Sequence, residues 1–274
     1  MGWRLWRGVG RSVWFCLMRA VELAFESFGE PGQPPLLIIH GFLAASRNWR
    51  TVARQLALSH HVYVLDMRNH GNSPHAELLD YPNMANDLLA FMDKHKIAVA
   101  HLLGHSMGGK VAMWFALHYP ARVGHLIVAD IAPVSYQHSF DALVAALSEV
   151  PVASIGNRKQ AEEALADAVP DLAYRQFLLQ NLLLKDGTYY WRINLDIIQK
   201  NAHHIVGFPE LGGTNFSRPV LFIGGGNSKY LHKQAIATVF PQASISEIPD
   251  TGHWLYVEAP EAFCGLVNDW LADR

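Results

Sequence analysis

Six strand-like runs separated by helix-patterned segments constrain this chain more than any other feature of its sequence. They lie at 36–40 (LLIIH), 61–66 (HVYVLD), 98–103 (AVAHLL), 123–130 (VGHLIVAD), 219–224 (PVLFIG) and 243–248 (ASISEI). The continuous apolar runs suit strands buried on both faces, because alternation with polar residues would mark a face left in water. The intervening segments at 48–59, 82–94 and 108–118 read as helices, and a last helix is expected over 260–273. A more mixed segment at 21–28 reads as an edge strand, and GEPGQPP at 29–35 is a turn-rich break. Strands alternating with helices predict an α/β fold whose sheet is mostly parallel and covered by helices on both faces.

The alternation lapses once. Residues 137–208 are nearly all helical in pattern, with FDALVAALSEV, RKQAEEALADAV and LAYRQFLLQNLLL carrying apolar residues at helical spacing. Both flanks return to the sheet, so this stretch is expected to be a helical cap inserted into a core of residues 19–136 and 209–274. Leu178, Leu179, Leu182 and Leu183 are expected to form one helical apolar stripe, and apolar stripes normally bury against the core.

Residues 1–18 stand apart. Arg4, Arg7 and Arg11 share this segment with Trp3, Trp6 and Trp14, and no acid occurs before Glu22. Three readings are open: a membrane-surface amphipathic segment, a targeting peptide, or an extension upstream of a start at Met18. The run 13–18 is short for a signal-peptide core, and no stretch reaches the roughly 18 apolar residues of a spanning helix. The charge balance, 22 Lys and Arg against 24 Asp and Glu, argues against a nucleic-acid partner. Cys16 and Cys264 are the only cysteines, which excludes a disulfide scaffold and suits a cytoplasmic, reducing compartment.

The chemistry concentrates in AHLLGHSMGGKVAMWFAL (100–117), where Gly104-His105-Ser106-Met107-Gly108 reads G-x-S-x-G between a strand and a helix. A serine on such a turn projects above the sheet edge, and the glycines are needed because side chains there would collide with the strand and helix. The Met107 N–H opens the helix, where positive potential favours an anion. A second oxyanion donor is expected from the loop after the strand LLIIH, with Gly41 turning the chain and Phe42 donating. His40 is expected to hold that loop, and the base is expected late in the chain at His253, in IPDTGHWLYVEAPEAF (248–263). Fifteen histidines include no metal-ligand spacing, so no metal site is expected.

With these motifs the chain resembles the α/β-hydrolase superfamily over about residues 20–274. DMRNHGNSP (66–74), VADIAPVSY (128–136), YWRINLD (190–196) and GGNSKYL (225–231) make it similar to the bacterial YbfF-type esterases and their mitochondrial abhydrolase-domain relatives. The resemblance implies an eight-stranded sheet, a Ser-His-acid triad and no cofactor.

Many members of that superfamily take the acid from the loop after the strand that here is PVLFIG. No Asp or Glu stands between Gly224 and Ser246, and Lys229 occupies about the expected place. Asp130, closing the neighbouring strand, is then the expected acid, and the resemblance points the same way. Glu247 and Asp250 are the competing acids, and a turn-capping Asp is the alternative reading of Asp130. Gly41, Arg68, His105 and Trp254 are the candidate substrate contacts. Arg68 could meet a substrate carboxylate or phosphate, or hold Asp66 or the cap. Lys229 and Lys233 could ring the mouth and favour acyl-CoA thioesters. The expected activity is hydrolysis of a small-molecule carboxylic ester or acyl thioester through an acyl-enzyme. C–C bond hydrolysis, cofactor-free perhydrolysis and non-catalytic ligand binding are the alternatives.

Overall fold

The computed structural model describes residues 19–272, so the expectations for residues 1–18 lie outside the described residues. The strands are β1 (Phe25–Phe28), β2 (Pro35–Ile39), β3 (His61–Leu65), β4 (Ala100–His105), β5 (Val123–Ala129), β6 (Leu182–Lys185), β7 (Thr188–Trp191), β8 (Val220–Gly225) and β9 (Ala243–Ile248). Seven of them form one sheet in the order β1-β3-β2-β4-β5-β8-β9. All its pairings are parallel except β1 against β3.

The helices are α1 (Arg50–Leu56), α2 (Tyr81–Lys94), α3 (Met107–His118), α4 (Asp141–Glu149), α5 (Arg158–Ala164), α6 (Leu172–Leu178), α7 (Leu195–Val206), α8 (Lys233–Val239), α9 (Leu255–Glu258) and α10 (Pro260–Ala272). The β2 run is unbroken in its hydrophobicity because both sheet faces are covered. Leu37 and Ile39 join the core that contains Met84, Leu88, Val111 and Phe115 of α2 and α3. Leu36 and Ile38 point the other way, into the core that contains Val52, Leu56, Phe263 and Val267 of α1 and α10. Burying one such Leu or Ile side chain stabilises the fold by about 1.5–3 kcal/mol.

Four expectations are corrected. The main sheet has seven strands among the described residues, not eight, and its first strand begins at Phe25 rather than residue 21. The stretch before it is held by side chains instead of a ladder: Val21 N–H donates to Asp87 Oδ1 (2.8 Å) and Ala24 N–H to Ser73 Oγ (2.8 Å). Between β5 and β8 the chain is not all helical, since β6 and β7 pair as an antiparallel hairpin. Its turn is Asp186-Gly187, both with positive φ (49° and 80°), which is the conformation a two-residue hairpin turn demands. The leucine stripe therefore divides between α6, a short 3-10 turn and β6, with Leu178, Leu179 and Leu182 buried in the larger core. No helix among the described residues is long and apolar enough to cross a membrane.

Candidate active site

The site forms where β4 and β5 end. These strands are hydrogen-bonded neighbours with His105 opposite Ala129, so the next residues, Ser106 and Asp130, leave the sheet edge side by side. Ser106 N–H still bonds Ala129 O (3.0 Å) and Asp130 N–H bonds Ile223 O (2.8 Å). Both residues then turn through positive φ, 53° and 50°, a conformation that costs a non-glycine residue free energy. The turn at Ser106 is tight. A Cβ at Gly104 would stand 2.2 Å from Gly108 O, and one at Gly108 only 2.1 Å from Ile39 O.

Asp130 is fully buried. Its Oδ2 accepts from His253 Nδ1 (2.7 Å) and from Ser228 Oγ (2.5 Å), and its Oδ1 accepts from Gly225 N–H (3.1 Å). The end of β8 and the loop after it, which carry no acid, thus supply two donors to an acid that follows the adjacent strand. The loop bearing His253 passes against Gly225, where a Cβ would lie 2.1 Å from Gly252 O. Glu247 is instead paired with Lys233 (2.8 Å), and neither Glu247 nor Asp250 bonds His253.

His253 is held from two further sides. Its carbonyl accepts from His105 Nε2 (2.8 Å), and the Tyr230 ring lies 4.4 Å from its own, centroid to centroid. His105 is buried beneath it, and that burial pushes its pKa well below the usual histidine value, so it acts as a neutral donor. Nothing in the spacing of Ser228, Tyr230 or the His105 contact announced these supports.

The loop after β2 lies directly against the elbow. A Cβ at Gly41 would meet His105 Nδ1 at 2.9 Å and Ser106 Cβ at 3.4 Å. His40 braces this loop, its Nε2 accepting from Met67 N–H (3.0 Å) and its Nδ1 donating to Gly41 O (2.7 Å). Burial is the largest cause lowering the His40 pKa, so a neutral ring with this tautomer is the stable form. The N–H groups of Phe42 and Met107 make no hydrogen bond among the described residues.

Gly41, Phe42, His105, Ser106, Met107, His253 and Trp254 all line one cavity of about 250 Å³. A wider cleft of about 910 Å³ adjoins it and shares Phe177, Trp254 and Tyr256 as a wall. Arg68 is not among the lining residues of either. It is 2% exposed, and its guanidinium grips Asp87 of α2 through Nε (2.6 Å) and Nη2 (2.7 Å) and Leu78 O through Nη1 (3.0 Å). The expectation that it contacts substrate is corrected: its fork is already filled by protein. Lys229 and Lys233 line neither space, and the Lys233 charge is already met by Glu247.

The family described as alpha/beta hydrolase fold matches residues 34–260. The chain is 38% identical over 263 residues to the sn-1-specific diacylglycerol lipase ABHD11 of Danio rerio, covering 92% of this chain and 83% of that protein. It is 35% identical over 243 residues to Esterase YbfF of Escherichia coli K12, covering 87% and 93%. Among solved structures, a marine microorganism esterase superposes with a TM-score of 0.87 at 37% identity, covering 92% of this chain and all of that one.

Proposed function

The chain belongs to the α/β-hydrolase fold family, and from that premise we propose that it hydrolyses carboxylic esters with Ser106 as nucleophile, His253 as base and Asp130 as the acid that orients it. It is a hydrolase of the esterase and lipase kind, as its relatives are. The observation that carries the residue roles is the 2.7 Å bond from His253 Nδ1 to a buried Asp130, in a cavity that also exposes the elbow serine.

Asp130 accepts a hydrogen bond from His253 Nδ1–H, which leaves Nε2 free to act as the base, and the carboxylate later stabilises the imidazolium. Ser106 Oγ makes no hydrogen bond among the described residues and stands free in the cavity. Contacts of this kind often tighten only when substrate arrives. As Oγ attacks the carbonyl carbon, His253 takes its proton. The unspent N–H groups of Phe42 and Met107 receive the oxyanion, a type of contact whose loss typically costs about 3 kcal/mol. His253 then protonates the departing alcohol, and water activated by His253 releases the acid from the acyl-enzyme.

Residues 137–208 act in this reading as the cap over the cavity, supplying His138, Phe140, Tyr174, Phe177, Ile205 and Val206 to its lining. An ester is favoured over an acyl-CoA thioester because the lysines once expected to attract the carrier's phosphates do not line the site. The ABHD11 relative is named for sn-1-specific action on diacylglycerol, which makes a diacylglycerol a substrate to include.

The test is turnover of p-nitrophenyl esters of increasing acyl length, a diacylglycerol and matched acyl-CoA thioesters, with Ser106→Ala beside the wild type. Serine-dependent ester turnover supports the proposal, and its absence on every substrate rejects it. Preference for the thioesters would move the substrate class without disturbing the triad.

A further inference from the structure

Lys110 lies four residues beyond Ser106 on α3 and lines the same cavity, yet the mechanism above gives it no part. It is 1% exposed, and no carboxylate pairs with it among the described residues. Its Nζ donates instead to the carbonyls that end α7: Gly207 O at 2.6 Å, Val206 O at 2.9 Å and Ile205 O at 3.5 Å. Other core groups complete the same joint. Tyr81 Oη donates to Ile205 O (2.5 Å), Tyr136 N–H to Val206 O (3.0 Å), and the Tyr136 ring lies 4.8 Å from Nζ. A cation at a helix C-terminus meets both the unpaired carbonyls and the negative end of the dipole. Burial pushes the Lys110 pKa down to about 7, and the carbonyls and ring faces oppose that by favouring the ammonium.

We propose that Lys110 is a positioning residue: from the nucleophile helix it holds the end of α7, fixes the wall that Ile205 and Val206 present to the cavity, and so sets the acyl length the enzyme accepts. The leaving alcohol must depart towards His253, whose neighbour Trp254 opens on the wider cleft. The wall built by α3 and α7 therefore bounds the acyl side. This inference rests on the hydrolase reading.

The experiment compares kcat/KM for p-nitrophenyl esters from acetate to decanoate in wild type, Lys110→Met, Lys110→Arg and Tyr81→Phe. Labelling of Ser106 by a small fluorophosphonate is followed in parallel. In Lys110→Met the butyrate-to-decanoate ratio falls about tenfold, the low end of the discrimination that one methylene commands in an apolar pocket. Labelling stays within about twofold of wild type. Lys110→Arg, which keeps a cation, remains nearer the wild-type ratio. Tyr81→Phe removes only the bond to Ile205 O and shifts the ratio the same way by less, which decides the matter if Lys110→Met does not fold. An unchanged ratio in the folded variants overturns the proposal, as does an equal loss on every ester together with labelling. Absence of Ser106 labelling and turnover in the wild type would instead strike the hydrolase reading.

Discussion

Replacing Arg68 with Met separates a structural cation from a substrate-binding one. The guanidinium and the Asp87 carboxylate are 2% and 0% exposed and meet through two bonds of 2.6 and 2.7 Å. Without Arg68, Asp87 keeps the Val21 N–H (2.8 Å) but loses its cation while still buried. Breaking a buried pair in this way costs about 3–5 kcal/mol. At roughly 2–4 °C per kcal/mol for a chain of this size, Tm should fall by about 10 °C. Because Arg68 lines neither cavity, KM for p-nitrophenyl butyrate, measured well below the new Tm, should stay within about twofold of wild type. The double variant Arg68→Met/Asp87→Leu should recover more than half of the lost Tm, since apolar replacement of both partners is often near neutral. Differential scanning fluorimetry beside Michaelis–Menten kinetics reads both quantities. A Tm within about 2 °C of wild type together with a tenfold rise in KM would refute the structural assignment and return Arg68 to the substrate site.

Asp130→Asn should keep the fold and lower kcat by about four orders of magnitude, because the amide favours the wrong tautomer of His253; a drop under tenfold on esters would exclude Asp130 as the acid. Ser228→Ala removes one donor to Asp130 and should lower kcat about tenfold with little change in KM, whereas a pure KM effect would place Ser228 on the substrate instead. Gly108→Ala should abolish soluble expression, since its Cβ would stand 2.1 Å from Ile39 O; a stable, active variant would contradict the close packing at the elbow. Burial lowers the His70 pKa to about 3, against about 6.5 in an unfolded chain. Between those values the unfolded chain binds a proton that the folded chain does not, so His70 makes stability fall as pH drops from about 6.5 towards 3. In His70→Gln the slope of unfolding free energy over that window should lessen by up to about 1.4 kcal/mol per pH unit, and an unchanged slope in urea melts would show that His70 is not the titrating group.

The alternation of apolar runs and helical segments carried the core of the fold because both sheet faces are covered, leaving the run at 36–40 without a polar break. What the pattern concealed was local. The leucines at 182–184 look alike in a helix and in a short strand, and the Asp186-Gly187 turn was the signal that distinguishes them. The candidate site was legible where chemistry demands a motif, at Gly104, Ser106 and Gly108, and in part where the loop after PVLFIG lacks an acid, which with the family resemblance put Asp130 ahead of Glu247 and Asp250. The groups that hold that chemistry in place were not legible. Ser228 reaches Asp130 across 98 residues and His105 reaches the His253 carbonyl across 148, and no periodicity spans such separations. Arg68 failed for a related reason: its position after a strand end suggested the site, but its partner Asp87 sits on a helix 19 residues away.

Ser106 and Asp130 both stand at positive φ at the ends of adjacent strands, where glycine would rest without strain. Each misfit costs of order 1–3 kcal/mol, from a total stability on the order of 5–15 kcal/mol. A chain selected for robustness alone would fill both positions with glycine. Retaining side chains there places this protein below its own stability optimum, so its tolerance for further destabilising substitutions is set partly at the two strand ends that carry the proposed nucleophile and acid.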